Sequence, residues 1–180
     1  MGKKDLDRLS GYFSTEYPLR IDIFTMSDRA HAGEYKDEGG PMIEAALDTF
    51  FENTGIEYRL CARILPDEAD QLEAALVASR DAGVHAVFTT GGTGIAPRDI
   101  TPDVVLKLAD KVIPGVMEVI RVKYGLEKPL ATLSRTVAAV LGSTLVFTLP
   151  GSPKGVAEYM GEILRVFDHL LCVLHGVDEH

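Results

Sequence analysis

Hydrophobic positions change period repeatedly along this chain. Leu19 to Met26 is a short β-rich apolar run ending at Ser27-Asp28, and Ile43, Ala46, Leu47, Phe50 and Phe51 then recur at the spacing of one helix face. Asn53 to Gly55 stops that helix. Ile56, Tyr58, Leu60, Ala62 and Ile64 alternate as one face of a second strand, which ends at Pro66-Asp67. Leu72, Ala75, Leu76 and Ser79 mark the next helix, closed by Gly83. Val84 to Thr90 is nearly all apolar, as a parallel strand buried on both faces is, and it runs directly into Gly91-Gly92-Thr93-Gly94. Thr101-Pro102-Asp103 opens a helix with Thr101 as the expected N-cap and Pro102 at the first helical position; another helix begins at Pro114. Thr144 to Leu149 is the last clear strand. Pro150 to Pro153 then turns the chain into a long helix with a core stripe of Val156, Met160, Ile163, Leu164, Phe167, Leu170, Leu171 and Leu174.

Such alternation predicts an α/β protein, a three-layer sandwich with a mostly parallel central sheet flanked by helices. No repeat, low-complexity tract or linker divides residues 19–180, which read as one domain. Residues 1–18 are polar and read as an N-terminal arm or a partly disordered segment.

Composition narrows the range of partners. The chain has 180 residues, 46% hydrophobic and 25% charged, which suits an ordinary globular domain with enough core to need no disulfides. Eighteen basic against twenty-seven acidic residues give a net charge of −9, so neither nucleic acid nor an anionic membrane is an expected partner. An anionic small substrate would need a local reversal of that field. Cys61 and Cys172 lie in apolar surroundings without CxxC spacing and read as reduced core thiols, which points to the cytoplasm. The first residues lack the apolar segment of a signal peptide, and no stretch is long enough to span a membrane.

Chemistry is concentrated where strands end. Ser27-Asp28, Pro66-Asp67, Thr89 to Gly94 and Pro150 to Lys154 each follow a predicted strand, and in a parallel sheet those four ends share the edge at which open α/β sheets bind ligands. The glycines of Thr89-Thr90-Gly91-Gly92-Thr93-Gly94 allow left-handed backbone and close approach of N–H groups to an anion, so the segment reads as a phosphate cradle; a tight structural turn is the alternative. It matches neither GxGxxG nor GxxxxGK[ST]. Asp67 and Asp99 are the carboxylates of interest. Their plain alternatives are a cap for a helix beginning at Glu68 and a turn or capping bond near Thr101. Arg29, Arg98, Arg135 and Lys154 are the cations best placed to meet an anion. The histidines form no metal constellation and zinc is not expected; His31 lies in the first loop within reach of a ligand, and His85 reads as packed against the sheet.

Ser27-Asp28-Arg29, Asp37 to Gly40, Leu65-Pro66-Asp67-Glu68, the TTGGTG block at 89–94, Pro97-Arg98-Asp99, Thr101-Pro102-Asp103, Leu133-Ser134-Arg135 and Leu149 to Lys154 occur in that order. This set resembles the molybdopterin adenylyltransferase family (MogA/MoaB type) of molybdenum cofactor biosynthesis, over roughly residues 20–176. The resemblance implies a homotrimer that binds molybdopterin and Mg-ATP, transfers AMP to the pterin's terminal phosphate and releases pyrophosphate. Other proteins of molybdenum cofactor biosynthesis are its implied partners. Two family aspartates required for catalysis match Asp67 and Asp99, which would hold Mg²⁺ through the ATP phosphates. The implied substrate-binding set is Ser27, Asp28, Thr90, Gly91, Gly92, Thr93, Gly94, Arg98, Ser134, Gly151, Ser152 and Lys154. Glu118 also falls in a recurring block, with an ordinary surface glutamate as the alternative. Two rival readings use the same fold: a molybdopterin-binding paralogue acting as carrier or assembly subunit, and a nucleotide phosphoanhydride hydrolase of the competence-damage type, whose usual further domains 180 residues would not hold.

Overall fold

The computed structural model describes residues 3–177; of the expected arm and domain, residues 1, 2 and 178–180 lie outside those described. The chain runs through α1 (Lys3–Tyr12), β1 (Leu19–Met26), α2 (Asp28–His31), α3 (Gly39–Phe51), β2 (Tyr58–Leu65), α4 (Ala69–Asp81) and β3 (Ala86–Thr90). It continues through α5 (Thr101–Leu108), β4 (Lys111–Val112), α6 (Pro114–Gly125), a 3-10 turn (Pro129–Leu133), β5 (Ala138–Leu141), β6 (Thr144–Leu149) and α7 (Pro153–His175).

The strands form one sheet in the order β2-β1-β3-β6-β5-β4. β2, β1, β3 and β6 are parallel, while β5 and β4 extend the sheet as an antiparallel edge. β3 and β6 are apolar because every residue in them is buried. Alternate side chains serve opposite layers. Ile21, Ile23, Phe88 and Phe147 join Leu47 of α3 and Phe167 of α7 in one core, and Phe24, Val87 and Val146 join Leu72, Leu76, Val104 and Val105 of α4 and α5 in the other. Each such buried side chain stabilises the fold by about 1.5–3 kcal/mol. The register brings the parallel strands level at their carboxyl ends: Met26 pairs with Leu65, Thr25 with Thr90, and Thr90 with Leu149. The chain order reverses between β1 and β3, since β2 lies on one side of β1 and β3 on the other.

The antiparallel edge was not legible in the sequence, because β4 has two residues and the four residues of β5 are all buried and show no alternation. Cys172 is buried as expected, but Cys61 is exposed because β2 is an edge strand with most of its residues only partly covered. Thr101 is not the cap of α5. Ile100 takes that position, and the buried Thr101 hydroxyl has no hydrogen-bond partner among the described residues.

The N-terminal segment departs most from expectation. Its polar residues hide an apolar face, Leu6, Leu9 and Phe13, at spacings of three and four. α1 lays that face against α7, and Leu9 and Phe13 are fully buried in the larger core. Phe13 also meets His85 edge-on, with ring centroids 4.9 Å apart. His85 is packed as expected: its Nδ1 accepts the Arg20 amide at 3.0 Å. Burial, aided by the nearby His175 and Arg20, pushes its pKa down to about 4. The segment is therefore a docked helix and not an arm. Phe13→Ala is expected to lower the unfolding free energy by about 3–5 kcal/mol in urea denaturation, whereas the same change in an undocked arm would leave it unaltered.

Candidate functional site

The loops after β1, β2, β3 and β6 meet at the point of strand-order reversal, where open α/β sheets place ligands. They enclose a cleft of about 290 Å³ whose walls include Ser27, Asp67, Thr90, Gly91, Gly92, Arg98, Asp99 and Gly151. Tyr35 and Asp37 also line it. Ser134, Ser152 and Lys154 instead line a second depression of about 490 Å³ together with Lys128, Glu158 and Tyr159. The turn through Pro150 to Pro153 contributes to both walls. Asp28, Thr93 and Gly94 line neither.

Backbone proximity makes the cradle. Gly91 has φ +97°, and a Cβ there would stand 2.3 Å from the Met26 carbonyl oxygen. Gly151 packs on it, with an added Cβ 3.3 Å from the Gly91 Cα. The Gly91 amide donates to Leu149 O at 3.1 Å, so Gly91 serves close approach and not anion donation. The amides of Gly92, Thr93 and Gly94 have no hydrogen-bond acceptor among the described residues. Thr90 Oγ1 donates to Pro150 O at 2.8 Å and ties the third loop to the fourth.

The acids are held from behind. The Asp28 amide donates to Asp67 Oδ2 at 3.1 Å, and the Asp67 amide returns a bond to Asp28 Oδ1 at 3.0 Å. Arg98 pairs with the remaining oxygen of Asp28 at 2.6 Å. Burial raises the Asp67 pKa, the Asp28 and Asp99 charges add to that, and the Asp28 amide and Arg98 oppose it. Asp67 is not a helix cap: α4 begins at Ala69 behind Glu68, which makes no side-chain capping bond. Asp99 does make the turn bond foreseen as its plain alternative, accepting the Ala96 amide at 2.7 Å, while still lining the cleft.

Arg135, considered as an anion-binding cation, is committed to structure. Its side chain donates to Gly94 O at 2.7 Å, to Asp103 at 2.8 and 3.0 Å and to the Asp99 carbonyl, and so clamps the loop that carries Asp99. Arg29 lies over the Tyr35 ring at 5.3 Å, and His31 Nδ1 lies 3.4 Å from Ile64 O; neither lines the cleft. Glu118 is an exposed residue of α6 that lines neither depression. Sequence reasoning missed the part played by Asp37. One of its oxygens accepts the Gly39 and Gly40 amides at 2.9 and 3.2 Å, and the other accepts Thr25 Oγ1 at 2.7 Å, which joins the start of α3 to the end of β1. The signal was present as an acidic residue just before two glycines and a helix.

These features define an α/β protein that presents a glycine-rich turn, two carboxylates and an arginine in one cleft at the carboxyl edge of its sheet. Comparison with known proteins agrees. Residues 22–169 match the model of the probable molybdopterin binding domain, MoCF_biosynth, and the chain belongs to that family. It is 40% identical over 141 residues to the molybdopterin adenylyltransferase of Haemophilus influenzae, covering 78% of this chain and 70% of that one. The Escherichia coli K12 molybdopterin adenylyltransferase is 38% identical over 164 residues, covering 88% of this chain and 80% of the relative. The crystal structure of the molybdopterin biosynthesis enzyme MoaB from Thermus thermophilus superposes with a TM-score of 0.75 at 38% identity, covering 88% of this chain and 97% of that one.

Gly91 is expected to be the least tolerant residue of the cradle, because a fixed backbone carbonyl opposes any Cβ there, whereas at Gly92 the opposing atom is the Thr101 hydroxyl. Gly91→Ala should cost at least about 1–3 kcal/mol in strain, and Gly92→Ala less, as read from paired melting curves.

Proposed function

We infer that the protein is a molybdopterin adenylyltransferase acting in molybdenum cofactor biosynthesis, with ATP as the AMP donor. The observation that carries this reading is the meeting of Asp67, Asp99 and the glycine cradle in one cleft beside a second depression. Two substrates need two compartments, and 290 Å³ is small for both at once. In the reaction a terminal phosphate oxygen of molybdopterin bonds to the α-phosphorus of ATP as the bond to pyrophosphate breaks. Both reactants are anions, so the protein's task is to align them and to meet their charge. Arg98 and the unpaired Gly92 amide, which line the cleft, are the groups suited to the phosphates. Lys128 and Lys154 are those suited to the second depression.

The donors present fit a magnesium ion. Asp67 and Asp99 each have one carboxylate oxygen held by an amide and the other without a hydrogen-bond donor among the described residues. No group of three or more His, Cys, Asp or Glu is arranged to hold a metal among the described residues. Two hard oxygens therefore suit an ion whose other ligands are phosphate oxygens and water. When bound, Mg²⁺ supplies positive charge against the nucleotide's phosphates. Asp67 and Asp99 would hold it, and their presence in the cleft weighs against a carrier that has lost transfer.

A homotrimer belongs to the same reading. Its support is a row of exposed apolar residues, Val119 and Val122 of α6, Leu126 just beyond its end and Leu130 in the following turn, 61–84% exposed in the single chain. Such a row is costly to leave in water. A cytoplasmic site of action completes the reading; no helix among the described residues is long and apolar enough to cross a membrane.

Incubation with molybdopterin, Mg²⁺ and ATP labelled at the α-phosphate is expected to place label on the pterin; unlabelled pterin with intact binding would point to the carrier instead. Asp67→Asn and Asp99→Asn are each expected to slow transfer by roughly a hundredfold or more, about 2.7 kcal/mol, with melting temperature and molybdopterin affinity preserved. Near-normal transfer in a folded Asp67→Asn protein would remove that residue from the chemistry. Sedimentation equilibrium should give three times the chain mass for the wild type and a lower state for Val122→Asp/Leu126→Asp. A wild-type monomer at tens of micromolar would refute the trimer.

A further inference from the structure

We propose that Asp28 is a positioning residue that fixes Asp67 with one carboxylate oxygen and holds Arg98 in reserve with the other, releasing Arg98 when a substrate phosphate arrives. The proposal rests on the cleft being a phosphate site. Asp28 does not line the cleft; it stands at the start of α2, behind the wall that Ser27, Asp67 and Arg98 form. Its two oxygens have separate tasks. Oδ1 accepts the Asp67 amide while the Asp28 amide donates to Asp67 Oδ2, so two reciprocal bonds join residues 39 positions apart and leave Asp67 Oδ1 as an unengaged oxygen of the cleft-lining residue. Oδ2 meets Arg98 at 2.6 Å.

The two attachments differ in permanence. The bonds to Asp67 are charge-assisted, part-buried and made to backbone amides that cannot turn away. The ion pair joins side chains that are 59% and 45% exposed, where water and salt screen it. With Oδ1 engaged, Asp28 offers the guanidinium a single oxygen, whereas a phosphate offers two to the arginine's fork. Arg98 therefore has a better partner waiting, and Asp67 does not. Until the exchange, Arg98 also supplies a counter-charge to Asp28 and Asp67, which would otherwise repel each other.

The test uses inorganic pyrophosphate as probe, titrated calorimetrically into the wild type, Asp28→Asn, Arg98→Gln and the double variant. Asp28→Asn frees Arg98 and is expected to tighten pyrophosphate by about two- to fivefold, and to change affinity little when Arg98 is already glutamine. Equal tightening in both backgrounds would mean simple loss of negative charge, and no tightening would mean Arg98 is not held back; either overturns the proposal. In AMP transfer, Asp28→Ala should lower kcat at least about tenfold with KM for ATP nearly unchanged. Asp28→Asn, which keeps an acceptor for the Asp67 amide, should recover most of that loss. Equal loss in the two variants at equal melting temperature also overturns it. If Asp28→Ala does not fold, the pyrophosphate cycle still decides. Absent transfer in the wild type with the cycle intact would defeat the adenylyltransferase reading and leave this one standing, and the converse result would do the reverse.

Discussion

A single missing atom governs the site. The backbone of residue 91 passes so close to the Met26 carbonyl that no side chain fits between them, and Gly151 closes on the same point from the opposite side. Three strands, β1, β3 and β6, can therefore release their chains from one level edge without splaying apart. With this contact in place the loops are near enough for Thr90 to bond Pro150 and for Gly92 to line the cleft with the β1 and β2 loops. A larger residue at 91 would separate the carboxylates from the cradle even if each kept its own conformation.

Around this contact the protein uses side chains mainly to hold loops, and fewer than the sequence suggests to meet ligand. Asp37 joins α3 to β1, Arg135 clamps the Asp99 loop, and the Asp28–Asp67 exchange closes the β1 and β2 turns on each other. On the proposed function, a site preformed in this way would lose little conformational entropy on binding.

What the sequence revealed and what it concealed have physical causes. β1 and β6 were legible to the residue, because strands this apolar, bounded by polar turns, have no other low-energy placement. The convergence of four strand ends followed from parallel topology alone. The motif order of the resemblance pointed to Asp67 and Asp99, but spacing could not separate a cap from a cleft residue; that needed the Asp28 amide, 39 residues away. Ser134, Ser152 and Lys154 were grouped with the cradle because chain order does not reveal that the Pro150–Pro153 turn separates two depressions. α1 was hidden by averaging: a helix whose apolar face is only Leu6 and Leu9, continued by Phe13 just beyond it, looks polar in any window, and only α7 reveals which face matters.

The groups that the proposed function assigns to phosphate are largely ones that never change charge. The Gly92 amide in the cleft and the amino end of α7, where the Ser152 hydroxyl accepts from Gly155 at 3.2 Å, present partial positive charge from backbone dipoles. In a protein of net charge −9, and beside Asp67 and Asp99, these dipoles are components that cannot titrate. On the proposed function their pull on an anion would stay constant while Asp67 gains or loses a proton. On that reading the pH response of ligand capture would belong to Asp67, whose pKa burial raises, and to the phosphates themselves, while the grip of the backbone stayed as it was.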